Sequence, residues 1–160
     1  MMPPESWIGF FEWAEATWVG TTIQQSLWLF PVIEAVHLVA LCVLGGALII
    51  VDLRLLGWGL RDQPVDALAR YVRPWFRAGV MVMLTTGVLL FLSEAIKCFY
   101  NTSFWVKMVT LAVALTFTFA VRNRVAMAGP ETSTRTRLIG GTSLVLWFVV
   151  AAAGRWIGYS

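Results

Sequence analysis

The amino-acid sequence predicts an all-α integral-membrane protein: a four-helix bundle preceded by an N-terminal amphipathic helix at the membrane interface. Three observations carry this. Of the 160 residues, 59% are hydrophobic and only 13% are charged, whereas an ordinary soluble domain is roughly 45–50% apolar and roughly 25% charged. Four apolar runs reach the ~20 residues that a helix needs to cross a bilayer. The basic residues gather in two of the gaps between those runs. This balance excludes a disordered chain, a disulfide-stapled secreted module and a soluble enzyme. At ~100–200 residues per domain the length allows one domain.

The chain divides into an interfacial helix and lead-in over 1–26 and a membrane domain over 27–160, with spans at about 27–51, 78–96, 104–121 and 138–157. The bilayer interior offers no water to a bare backbone, so crossing segments are helices or closed barrels, and apolar runs without strict alternation select helices. In the lead-in, Ser6 is placed to cap a helix whose Trp7, Phe10, Phe11, Ala14 and Trp18 recur at helical spacing, with Glu12 and Glu15 on the other side. Such a helix is expected to lie flat as a collar over the bundle. The opening Met1-Met2-Pro3-Pro4-Glu5 lacks the positive region of a cleavable signal peptide.

Orientation follows from the cations. The first loop carries Arg54, Arg61, Arg70, Arg73 and Arg77, and the third carries Arg122, Arg124, Arg135 and Arg137, nine of the twelve basic residues. The positive-inside bias makes that side cytoplasmic and leaves both termini outside. Val65, Leu68, Ala69 and Val72 are expected to line a short surface helix within the first loop. In the third, Gly129-Pro130 followed by Glu131-Thr132-Ser133-Thr134 reads as a turn and a helix start. The net charge of +3 is spread through these gaps without a basic patch interleaved with aromatics, which points to the lipid bilayer and not nucleic acid as partner. Cys42, in the middle of the first span, and Cys98, in the outer loop, lack disulfide or zinc spacing and are expected to be inert.

Candidate functional residues are the ionisable ones within the spans, because a buried charge in a bilayer is costly and marks function by default. Glu34 and His37 stand three apart on one face of the first span; Glu94 falls near the outer end of the second, Lys107 one turn into the third and Arg155 at the matching depth of the fourth. These five groups are expected to meet in the outer half of the bundle. They would form either a structural salt-bridge network or a cofactor site. One His with scattered carboxylates does not supply zinc or copper spacing, although Met81, Met83 and Met108 could add thioethers for Cu(I). Haem asks less of the protein: one axial side chain, an apolar slot and polar or cationic groups for its propionates. His37 as the metal ligand, with Lys107 and Arg155 nearer the surface, meets that requirement for haem b. A bis-His site would need a second chain, so a Met ligand, a five-coordinate iron or a homo-oligomer is implied.

The runs Pro31-Val32-Ile33-Glu34-Ala35-Val36-His37-Leu38, Asp52-Leu53-Arg54-Leu55-Leu56-Gly57, Thr86-Gly87-Val88-Leu89-Leu90-Phe91 and Asn101-Thr102-Ser103-Phe104-Trp105-Val106-Lys107 resemble those of uncharacterised bacterial four-helix membrane proteins. More remotely, they are similar to HemJ-type protoporphyrinogen oxidases and CopD-type copper-resistance proteins. The resemblance implies haem binding at His37, with Trp105 and Lys107 at the places where the HemJ-type group has a Trp and a Lys opening its third helix. It also implies a place in the bacterial inner membrane, and redox work or electron transfer with a quinone, a porphyrinogen or a partner protein. The chain departs from that group in its aromatic N-terminal collar, in Glu34 beside the His and in the residues following the His. The alternative expectation is a non-redox accessory or scaffold subunit of a membrane complex, or a copper-handling membrane protein.

Overall fold

Four residues with strong backbone preferences set where the long helices begin and end. The computed structural model describes residues 4–60, 62–129 and 133–159, and every regular element among them is helical. After a single 3-10 turn the order is α1 (Ile8–Glu15), α2 (Trp18–Gln25), α3 (Leu29–Leu56), α4 (Val65–Ser93), α5 (Ala95–Tyr100), α6 (Thr102–Phe117), α7 (Asn123–Met127) and α8 (Thr134–Ile157). Gly57 ends α3 in the left-handed region at φ 78°, where a residue without Cβ meets no steric penalty. Pro64 precedes α4, where its missing N–H leaves no donor unsatisfied. The Asn101 side chain accepts from the backbone N–H groups of Ser103 and Phe104 to open α6. Ser133 and Thr136 form a reciprocal capping box at the start of α8.

Four stretches are long and apolar enough to cross a membrane: α3, α4, Thr102–Met127 and α8. The third is continuous because one π-helical turn, Thr118–Arg122, joins α6 to α7. These helices carry outward stripes at helical spacing, such as Val32, Val36, Val39 and Val43 on α3 and Val106, Val109 and Val113 on α6, all exposed. Such stripes suit hydrocarbon, where they cost nothing.

The helices outrun the expected spans. α3 continues past Val51 to Leu56. The surface helix expected around Val65 to Val72 is the first part of α4, which passes through Pro74 without ending. At the other end α4 stops at Ser93, because Glu94 turns out of helical geometry at φ −138° and ψ 37°. The turn and helix start expected at Gly129 to Thr134 fall partly outside the described residues, and Ser133 capping is what the structure describes of them.

The lead-in also differs from expectation, since two short helices replace a single amphipathic one. Thr17 interrupts: its hydroxyl donates to Ala14 O at 2.7 Å and accepts from Gly20 N at 3.2 Å, capping α2. Of the expected apolar face only Phe11 and Ala14 are buried, while Trp7, Phe10 and Trp18 stay exposed. Phe11 and Ala14 pack with Ala95 and Phe99 of α5 and with Phe91, Phe104 and Trp105. The Glu15 carboxylate accepts from Ile96 N at 2.7 Å, and the Gln24 amide donates to Ser93 O at 2.7 Å, so the lead-in is tied to the corner between α4 and α5.

Within the bundle α4 packs on α3, α3 on α8 and α8 on α6. Gly79 lets α4 approach α3 closely, since a Cβ there would lie 3.0 Å from Leu44 Cβ. The core gathers Leu44, Leu48, Val51 and Leu55 of α3 with Val72 and Phe76 of α4. Inside it lies a polar cluster: Arg122 Nε donates to Asp52 Oδ1 at 2.7 Å, Ser143 Oγ donates to Asp52 Oδ2 at 2.7 Å, and Arg122 Nη2 donates to Leu48 O at 3.1 Å. The remaining seam, between α4 and α6, is closed at one end by α7 packing on α4.

Candidate functional site

Away from α7 the α4–α6 seam opens into a cavity of about 560 Å³. α3 supplies His37, Leu41 and Leu44; α4 supplies Val80, Met83, Leu84, Gly87, Val88 and Phe91. α6 contributes Phe104, Trp105, Lys107, Met108, Leu111 and Leu115, α8 contributes Trp147 and Val150, and Trp7, Phe10 and Phe11 of the lead-in form the rim. The lining is apolar except for one imidazole and one ammonium. That size and character match cofactor and small-molecule sites, which run roughly 300–1,000 Å³ with a few placed polar groups.

The hydrogen bonds around His37 assign its tautomer. Its Nδ1 lies 2.7 Å from Thr86 Oγ1, and the Thr86 hydroxyl donates back along its own helix to Val82 O at 2.6 Å. A hydroxyl carries one proton. With that proton on Val82 O, the Thr86 oxygen accepts, Nδ1 carries the ring proton, and the lone pair resides on Nε2. Gly87 follows Thr86, and a Cβ there would meet His37 Cε1 at 3.5 Å, so the imidazole lies against the α4 backbone.

Lys107 enters the same cavity from α6, with its stem along Gly154 of α8: a Cβ at that position would stand 3.4 Å from Nζ. Its ammonium makes no hydrogen bond or ion pair among the described residues. Trp105 is a wall, its indole N–H donating to Phe99 O at 3.0 Å and its ring set between Trp7 at 6.0 Å and Phe11 at 5.8 Å.

The other three expected site residues lie elsewhere. Glu34 is exposed and does not line the cavity. Glu94 sits at the α4–α5 corner with Lys97 Nζ 3.9 Å away. Arg155 is exposed and turns to Tyr159, with Nη2 2.6 Å from the phenol oxygen and the guanidinium carbon 4.8 Å from the ring centroid. The structure thus brings His37, Trp105 and Lys107 together and leaves Glu34, Glu94 and Arg155 outside. No group of three or more His, Cys, Asp or Glu residues able to hold a metal ion occurs among the described residues. Of the three methionines, Met83 and Met108 line the cavity, whereas Met81 is 66% exposed.

Two features escaped the sequence reading. Thr86 was not singled out, although a hydroxyl in the middle of an apolar span is itself a signal. The Asp52–Arg122–Ser143 cluster joins residues on three different helices; its only trace in the sequence is an acid and a base at the ends of two spans.

Four apolar crossing helices, arranged so that one seam of the bundle stays open as a lined cavity, define a multi-pass membrane protein. The chain belongs to the family of unknown function DUF6644, whose profile matches residues 10–160. Neither the curated proteins nor the solved structures include a match to it.

Proposed function

We propose that the chain is a b-type haem-binding membrane protein that transfers electrons with a quinone, a porphyrinogen or a partner protein. The observation that carries this reading is the His37–Thr86–Val82 chain of hydrogen bonds, which leaves Nε2 without a hydrogen-bond partner among the described residues on an imidazole that lines an apolar cavity. Histidines that bind metals characteristically donate their other ring N–H to a fixed acceptor, which sets the ring's orientation and basicity. Haem brings four nitrogen ligands of its own, so the absence of a protein-only metal cluster among the described residues is compatible with it.

In this reading His37 would hold the haem iron, Thr86 would orient the imidazole, and Lys107 would offset a propionate carboxylate. Phe11, Phe91 and Trp105 keep water from the apolar interior. Met83, Met108 or a residue of a second copy of the chain would offer a further ligand, the last making a homo-oligomer. Bound haem would supply a one-electron couple. The test is the visible spectrum of protein purified from haem-replete cells: Soret and alpha bands are expected, and His37→Ala should abolish them while the bundle still inserts. Unchanged bands in that variant would sink the assignment. Lys107→Met should weaken haem retention or lower the reduction potential, since removing a cation from a low-dielectric site disfavours the more negative reduced state.

A copper-handling reading has one observation in its favour: Met83, Met108 and His37 line one cavity, a soft ligand set for Cu(I). It predicts a colourless protein that binds Cu(I) and loses it on Met83→Leu with Met108→Leu. For location we infer a bacterial inner membrane with both termini periplasmic, supported by nine of the twelve basic residues lying on the loop side. Accessibility reporters at Gln63 should read cytoplasm and one at Tyr159 periplasm; the reverse pattern overturns the orientation.

A further inference from the structure

At the opposite end of the α4–α6 seam lies a second cleft, of about 300 Å³, walled off from the first by aromatic rings. Phe76 and Phe119 line it, with centroids 5.7 Å apart, and Phe76 meets the Trp147 ring of the first cavity at 6.5 Å. Its mouth is cationic. Arg73 and Arg77 stand four apart on α4, hence on one face, and Arg124 faces them from α7. All three are exposed, and none of their guanidinium groups has a hydrogen-bond or ion-pair partner among the described residues.

The described acids on the elements around the cleft are already engaged. Asp52 is paired with Arg122, and Asp66 holds Arg70 at 2.5 Å. Arg122 forms part of the cleft's base but is spent on Asp52, Leu48 O and Asn123. Three uncompensated forks therefore surround an apolar slot.

We propose that this cleft binds the phosphate of an anionic phospholipid, with the glycerol and the start of an acyl chain lying in the slot. The charge pattern selects an anion, because guanidinium forks match phosphate oxygens two at a time. The apolar floor selects a lipid over a soluble anion, which would gain nothing from Phe76 and Phe119. Position agrees. The cleft lies against α7, at the end of the third crossing stretch, with the 59%-exposed Trp75 between Arg73 and Arg77 in sequence, and basic pockets between membrane helices near their ends are suited to anionic headgroups.

The test is native mass spectrometry of delipidated protein in neutral detergent, titrated with phosphatidylglycerol, cardiolipin or phosphatidylcholine. Anionic lipids should bind at least tenfold more tightly than phosphatidylcholine. That preference should vanish in the Arg73→Gln, Arg77→Gln, Arg124→Gln triple variant. It should persist in Arg135→Gln with Arg137→Gln, which removes two exposed cations of α8 that do not line the cleft. Should the triple variant not fold, Arg77→Gln alone should still lower the preference severalfold. Equal binding of all three lipids, or a preference untouched by the arginine changes, would overturn the proposal. Arginine-dependent saturation by inorganic phosphate as tight as that by lipid would mark a soluble-anion site and overturn it equally.

Discussion

Arg122 and Asp52 are paired at 2.7 Å with side-chain exposures of 4% and 0%, and their contact ties the third crossing helix to the first. Ser143 adds the fourth helix through the other carboxylate oxygen. A pair this deep adds little net stability over an apolar replacement, but breaking it leaves one buried charge without compensation. Arg122→Met should therefore destabilise the bundle by about 3–5 kcal/mol. The Arg122→Met, Asp52→Asn double variant should recover much of that loss. Chemical unfolding of the single and double variants in micelles checks the non-additivity; simple addition of the two losses would mean the pair is not coupled.

Gly140 allows α8 to reach α3 beside that pair. A Cβ at 140 would come within 2.9 Å of Asp52 O and 3.0 Å of Leu55 Cβ, whereas at Gly141 the nearest atom is Leu56 Cδ2 at 3.8 Å. Overpacking of this kind costs about 1–3 kcal/mol. Gly140→Val should lower the melting temperature clearly, while Gly141→Ala should leave it unchanged or slightly raised.

Thr86 acts on the cavity through His37 alone. Thr86→Val keeps the volume and removes the acceptor of Nδ1, so on the proposed haem-binding reading the affinity for haem should fall about 10–100-fold, the usual consequence of losing a ligand's supporting hydrogen bond. Thr86→Ser should restore it. A Soret titration measures both, and equal affinity in the Val variant would show that the bond has no bearing on the ligand.

Cys98, in α5 between the second and third spans, is buried, and its thiol is pushed up to about 11, first by burial and then by the Glu94 carboxylate. An unfolded thiol ionises near 8.5. The neutral thiol is thus the form the fold favours, and its contribution to stability is complete below about pH 8.5 and lost as pH rises toward 11. In a Cys42→Ser background, maleimide labelling of Cys98 should be slow at pH 8 and accelerate only in strong alkali. Rapid labelling at pH 8 would mean the corner opens.

The four crossings were legible because their signal is length and apolarity, which one dimension records. Position along a helix was legible too, since residue count alone puts His37 in the first half of α3 and Lys107 a little over one turn into α6. Azimuth was not. α3 is apolar nearly all round, so no stripe distinguishes its bundle face from its lipid face. His37 could be found by residue type, but nothing local shows that Glu34, three residues earlier, ends up exposed. Arg155 illustrates a nearer competitor: Tyr159, one turn on, takes its guanidinium before any distant carboxylate can. Asp52 looked like an exit-loop residue because its partner is 70 positions away, a distance that no pattern of neighbours encodes.

The π-helical turn at Thr118–Arg122 divides the third crossing into two segments with different angular phases. Such a turn accommodates one residue beyond the α repeat, which rotates everything on one side by roughly 100° relative to the other. Lys107 and Arg122 share a helix yet answer to different neighbours, and the extra residue sets the twist between them. That crossing therefore behaves as a counted spacer. A single-residue deletion near Phe119 would leave its composition and length almost intact, yet would let only one of the two charged residues keep its bearing.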